Sequence, residues 1–101
     1  HGFMKTLAME AGPFGIRANA IAPGCVEGAR IDAVIEKEAA KKKTTSDVIR
    51  EAYKSGTSLK TFVNAEDIAS MALFLASEQA SRISGQVIAV DGHTENPDPK
   101  I

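Results

Sequence analysis

The chain has 101 residues, the length of one small domain. Its 12 basic and 13 acidic residues give a net charge of −1, and 44% of the residues are hydrophobic. This composition argues against general disorder. It also argues against a nucleic-acid partner, because proteins that bind nucleic acids usually carry an excess of basic residues. No apolar run is long enough to span a membrane. A single cysteine, Cys25, excludes an internal disulfide framework, and no histidine pair predicts a metal site.

The chain begins with His1 rather than Met, and no charged segment leads into an apolar one. The first residues therefore lack the pattern of a signal peptide. We expect a cytoplasmic protein. We also expect the chain to be a piece of a longer protein.

Two short elements are predicted at the start of the chain. Apolar residues recur at helical spacing in residues 2–11, and the Gly12-Pro13 pair ends that helix. Residues 16–22 are predicted to form a short strand, because a helix stop precedes them and the Pro23-Gly24 turn follows.

Residues 28–56 predict a polar, helical middle segment with two short amphipathic helices. Either Thr45 or Ser46 can cap the second helix, and Gly56 ends it. The thin apolar stripes of both helices favour a mobile surface flap over a core. The run of lysines at 41–43 is interpreted as a solvated helix end, with a phosphate-binding role as the alternative.

The second half of the chain predicts a helix and a strand. Residues 65–78 combine an N-cap, Asn64, with a wide apolar surface, so we expect a largely buried helix. Residues 86–90 form a nearly continuous apolar run, as in a strand covered on both faces of a parallel sheet. A polar, extended tail follows from residue 93. Two strands joined by a long helical crossover predict a parallel βαβ unit at the end of a doubly wound sheet.

The Pro23-Gly24 turn is the main candidate for a ligand site. It follows a predicted parallel strand, and open α/β sheets bind ligands at the carboxyl ends of their strands. A plain strand-terminating turn is the alternative. Beside it, Cys25 is either a small, partly buried residue or a nucleophile, and Arg30 is either solvated or a partner for an anionic substrate or cofactor phosphate.

The chain carries a series of short motifs in a fixed order. They are Gly15-Ile16-Arg17-Ala18-Asn19, Ala22-Pro23-Gly24, Asp67-Ile68-Ala69, Phe74-Leu75-Ala76-Ser77, Ile83-Ser84-Gly85-Gln86 and Val90-Asp91-Gly92. In this order they resemble the carboxyl-terminal portion of the classical short-chain dehydrogenase/reductase family. The resemblance covers almost the whole chain.

The resemblance implies a fold and an activity. Residues 1–101 would be the C-terminal part of a single NAD(P)-binding domain of α/β class, a Rossmann-type doubly wound parallel sheet, with residues 25–60 as a substrate-side helical flap. The intact protein would be an oxidoreductase that transfers a hydride between a nicotinamide cofactor, NAD or NADP, and a carbonyl or alcohol substrate. The family's catalytic Ser, Tyr and Lys would all precede His1, so no catalytic residue is assigned in this chain.

The resemblance also assigns roles to residues near the turn. Pro23 and Gly24 would border the nicotinamide, and Val26 would offer backbone groups to its carboxamide. Gly28 stands where the family often has a Thr near the cofactor, and His93 stands where it often has a second Gly.

The predicted partners are a small-molecule substrate, the upstream part of the same domain, and further copies of the chain in a homotetramer or dimer. The alternative is a non-catalytic, truncated chain that acts as an interaction or oligomerisation module.

Overall fold

The computed structural model of the protein describes residues 2–94. The expectations for His1 and for the tail beyond residue 94 lie outside these residues. Short 3₁₀ helices occupy Gly12–Phe14 and Glu78–Ala80. The main elements are α1 (Gly2–Ala11), β1 (Ala20–Pro23), α2 (Ala29–Lys42), α3 (Ser46–Ser55), α4 (Ala65–Ala76) and β2 (Val87–Val90).

The two strands form a parallel pair, as the sequence predicts. Ala20 pairs with Val87 at one end, and Pro23 pairs with Val90 at the other. The crossover between them contains α2, α3 and α4, and α4 packs against both strands. The carboxyl ends of both strands therefore lie next to each other at the same edge of the sheet.

β1 is shorter than predicted, because the residues before Ala20 bond to a turn rather than to the neighbouring strand. The Ala18 N–H donates to the Ser84 hydroxyl at 3.1 Å, and the Asn19 side chain reaches the Ile83 carbonyl at 2.9 Å. Before Ala20 these side-chain bonds take the place of part of the regular ladder, and the Ala18 carbonyl accepts from the Gly85 N–H of the turn at 2.7 Å.

The helices of the middle segment form where the sequence predicts them. Of the two candidate caps, Thr45 is the one used, since its Oγ1 accepts from the Val48 N–H at 3.3 Å. Gly56 follows the last turn of α3. An ion pair of 3.1 Å joins Lys42 to Glu38 one turn earlier, and Lys41–Lys43 are exposed.

The expectation that this segment lacks a core is wrong. Ile35 of α2 and Ile49 of α3 are both 0% exposed, and Ala39 and Phe62 complete a buried cluster with them. Cys25, Ile31 and Tyr53 pack against this cluster from its rim. The stripes are thin on each helix, but α2 and α3 face each other, and Phe62 closes the space from the loop after α3.

The expectation of a largely buried last helix is also wrong. Leu75 is the buried residue of α4, whereas Leu73 is 74% exposed and Phe74 is 41% exposed. In β2, Ala89 is exposed and the remaining residues are half-buried, so this strand is not covered on both faces. The physical reason is that, within residues 2–94, a two-stranded sheet leaves α4 a narrow surface to pack against.

Candidate functional site at the end of the parallel strands

The Pro23-Gly24 turn lies at the carboxyl edge of the sheet. Pro23 is the last residue of β1 and is paired with Val90, the last residue of β2. The Gly24 N–H then donates to the Val90 carbonyl at 3.0 Å. This is the edge at which open parallel sheets bind their ligands.

Glycine at position 24 is required by the neighbouring strand end. A Cβ built on Gly24 would lie 2.7 Å from the Asp91 Cβ and 2.8 Å from the Asp91 Cα. Both separations are far below van der Waals contact, and one of the two partners is backbone. The two strand ends can therefore approach this closely only when one of the facing residues has no side chain.

The main chain around Val26 is held by a single β-bridge to Val63. The Val63 N–H donates to the Cys25 carbonyl at 3.0 Å, and the Val63 carbonyl accepts from the Glu27 N–H at 2.8 Å. In a parallel bridge of this kind, the bonds use the groups that flank the central residue. The amide and carbonyl of Val26 itself therefore point away from Val63, both toward the same side.

The three residues predicted from the sequence to bind a cofactor line one cavity of about 570 Å³. Pro23, Gly24 and Val26 form one part of its wall, and Ile31 and Val34 of α2 add apolar surface. Arg30 also lines the cavity and is exposed, which is compatible with both interpretations of this residue.

The structure supports a packing role for Cys25. Its side chain is half-buried against the buried cluster, and burial raises the pKa of its thiol. A raised pKa keeps the sulfur protonated near neutral pH, whereas a nucleophilic cysteine requires the thiolate. The interpretation of Cys25 as a small, partly buried residue is therefore the better one.

One side chain near the site was missed by the sequence analysis. Arg50 of α3 donates from Nη1 to Glu27 Oε1 at 2.9 Å and from Nη2 to Asp32 Oδ1. These partners lie 23 and 18 positions away along the chain, so no local spacing rule could have paired them.

Metal-binding clusters and membrane-spanning helices were also considered for the described residues. Within residues 2–94, no group of three or more His, Cys, Asp and Glu side chains is placed to hold a metal ion. None of the helices in this part of the chain has the length and apolar character needed to cross a bilayer.

Comparison with known proteins gives a consistent family. The model of the family described as enoyl-(acyl carrier protein) reductase matches residues 1–93. The 3-oxoacyl-[acyl-carrier-protein] reductase FabG of Aquifex aeolicus is 40% identical over 91 residues, which cover 90% of this chain and 32% of that protein. The chain thus spans about a third of the length of this curated relative.

Solved structures share the fold of the chain. The L-sorbose reductase of Gluconobacter frateurii, in complex with NADPH and L-sorbose, superposes with a TM-score of 0.79 and 27% identity, over 91% of this chain and 35% of that one. A 4-hydroxyisoleucine dehydrogenase in complex with NADH gives a TM-score of 0.70 and 33% identity, over 91% of this chain and 34% of that one.

Proposed function

Because the chain belongs to the short-chain dehydrogenase/reductase family, we propose that the intact protein is an oxidoreductase dependent on NAD or NADP. When bound, the nicotinamide would supply or accept the hydride, and the substrate would be a small molecule with a carbonyl or alcohol group. In this proposal the catalytic Ser, Tyr and Lys would lie upstream of this chain. Residues 1–101 would therefore serve to bind and orient, not to transfer the proton.

The observation that carries this proposal is the orientation of the Val26 main chain. A nicotinamide carboxamide presents one donor group and one acceptor group side by side. The bridge to Val63 turns the N–H and C=O of Val26 to a common side, which matches that pair. Pro23 and Gly24 present little side-chain bulk on the same wall of the cavity, so a flat ring can lie against them.

The residues after the turn would form the substrate side of the site. α2 provides apolar surface next to the cavity through Ile31 and Val34, and Arg30 adds a positive charge there. We propose that residues 25–60 act as the substrate-side flap of a cytoplasmic enzyme and that Arg30 favours a substrate with a negative group.

The exposed apolar side chains fit a domain with further partners. Phe3, Met9, Phe14 and Leu73 are each at least 74% exposed. The upstream part of the same domain and a second copy of the protein are the partners we propose for these surfaces. The same exposed apolar side chains also favour the second candidate, a non-catalytic interaction module.

An intact-mass measurement in the source organism separates the two candidates. A mass near 10.7 kDa would favour the interaction module. A mass of roughly two and a half times that value, in line with one complete doubly wound domain, would favour the enzyme.

The cofactor site is tested with a pair of substitutions in the full-length protein. Val26→Pro removes the amide N–H, whereas Val26→Ala keeps it. We expect Val26→Pro to weaken binding of NADH or NADPH by about tenfold, the cost of roughly one hydrogen bond, and Val26→Ala to leave it nearly unchanged. Equal affinity in the two variants would contradict the assignment of Val26, and failure of the wild type to bind either dinucleotide would contradict the proposed function.

A further inference from the structure

Arg50 joins α3 to the loop that follows the Pro23-Gly24 turn. Its guanidinium donates to Glu27, the residue directly after Val26, and to Asp32 in the first turn of α2. One side chain of α3 thus connects the loop, α2 and α3. Each of these segments borders the cavity or packs directly behind it.

The Arg50 guanidinium also stacks on an aromatic ring, in addition to its two ion pairs. Its Cζ lies 5.4 Å from the centroid of the Phe62 ring, a favourable cation–π distance. Phe62 is 5% exposed and belongs to the buried cluster, and the preceding residue of the helix, Ile49, is fully buried. The guanidinium therefore rests on the buried cluster.

The anchored arginine and the Val63 bridge act on the same short loop. Val63 follows Phe62 directly and bonds to Cys25 and Glu27 on both sides of Val26. Arg50 holds the side chain of Glu27, while Val63 holds its amide. The loop is thus held on both sides of Val26, through Cys25 and Glu27, which leaves the Val26 groups in a defined direction.

We propose that Arg50 is a positioning residue for the nicotinamide half of the cofactor, because it fixes Glu27 and through it the main chain of Val26. This inference rests on the proposed function. Arg50 does not line the cavity, so it would touch neither cofactor nor substrate. Its role is to keep the carboxamide-binding groups in place before the cofactor arrives, so that binding does not have to order the loop.

Asp32 and Glu27, the two acidic partners of Arg50, favour the charged form of its guanidinium. The hydrogen bonds that Arg50 donates to Asp32 and, after it, to Glu27 raise the pKa of Arg50, so the guanidinium keeps its proton. The planar fork of an arginine can serve both carboxylates at once, which a lysine cannot do. We therefore expect Arg50→Lys to keep only part of the wild-type affinity for the dinucleotide.

The experiment compares two ligands on the full-length protein by calorimetric titration. NADH or NADPH, whichever the wild type binds, reports on the whole cofactor, and ADP-ribose reports on the half without nicotinamide. In Arg50→Gln we expect dinucleotide affinity to fall about five- to tenfold while ADP-ribose affinity stays unchanged. The matched control is Arg82→Gln, which changes an exposed arginine outside the site and should alter neither affinity.

The same titrations on Glu27→Gln and on the double variant test the connection directly. Glu27→Gln should weaken dinucleotide binding in the same direction, and the double variant should be no weaker than Arg50→Gln alone, since both changes remove one interaction. Glu27→Gln also keeps the test decisive if Arg50→Gln does not fold.

Two results would overturn the inference while leaving the proposed function intact. The first is wild-type dinucleotide affinity in both Arg50→Gln and Glu27→Gln. The second is an equal loss for dinucleotide and ADP-ribose, which would indicate a general structural role. A third result would overturn both the inference and the role of Val26. In that case the wild type would bind ADP-ribose and the dinucleotide with equal affinity.

Discussion

The side-chain oxygen of Asn19 accepts a hydrogen bond of 3.1 Å from the Gln86 N–H, so that the residues entering the two parallel strands are joined by a side chain. The amide nitrogen of the same residue donates to the Ile83 carbonyl at 2.9 Å. One asparagine therefore satisfies a donor and an acceptor of the turn before β2. This explains structurally why the motif Arg17-Ala18-Asn19 has an amide at its end.

Asn19→Asp should destabilise the fold because it keeps the acceptor for Gln86 but replaces the donor to Ile83 with a carboxylate oxygen. We expect a loss of about 1–3 kcal/mol in the free energy of unfolding, measured by urea denaturation of the full-length protein. Asn64→Asp is the matched control, since Asp is as good an N-cap as Asn and should be tolerated there. Equal stability of the two variants would show that the Ile83 bond contributes nothing.

Gly24→Ala should destabilise the protein even in the absence of cofactor. The added Cβ would meet Asp91 at 2.7 Å, and the two strand ends would have to separate. We expect a loss of about 1–3 kcal/mol in thermal or urea unfolding. Gly12→Ala provides the comparison, because nothing lies within 4 Å of its Cβ position. If Gly24→Ala weakened only cofactor binding, the glycine would serve ligand approach and not strand packing.

Ile49→Ala and Val48→Ala test which residues of α3 form the core. Ile49 is 0% exposed within the buried cluster, whereas its neighbour Val48 is 47% exposed. Truncation of the buried isoleucine should cost about 2–5 kcal/mol in unfolding free energy. The exposed valine should change it by no more than about 0.5 kcal/mol. Similar values for both would mean that α3 does not pack as described.

Cys25 should be alkylated slowly in the folded protein, with a pH midpoint above that of a free thiol. Burial raises the pKa of this group, so the folded state favours the neutral thiol. Its contribution to stability is fully present below the pKa of the unfolded thiol and is lost as the pH rises through the higher folded value. Iodoacetamide rates across pH, with and without denaturant, measure both midpoints. A folded midpoint at or below the unfolded one would contradict the burial argument.

The sequence predicted the elements well wherever local chemistry decides them. The stop at Gly12-Pro13, the cap at Thr45 and the N-cap position at Asn64 involve neighbours in the chain, and the structure contains each of them. At the start of α4, for example, Asp67 accepts from the Asn64 N–H at 2.7 Å. The parallel pairing followed from the long crossover between two short strands.

Burial was predicted poorly because it depends on contacts between distant segments. The stripes of α2 and α3 look too thin for a core until Phe62 is placed between them. The apolar surface of α4 looks wide enough to be buried, yet two strands cover only part of it. The same limit applies to the site, where Arg50 and Val63 reach the loop from positions that periodicity cannot relate to Val26.

The location of the core within α2 and α3 has a consequence for how selectivity could evolve. The α2 side chains Arg30 and Val34 line the cavity, are exposed and do not belong to the buried cluster. Substitutions there should leave the fold intact at little cost. A library that randomises these positions would therefore change the wall of the proposed substrate site, while the buried cluster stays that of the parent molecule.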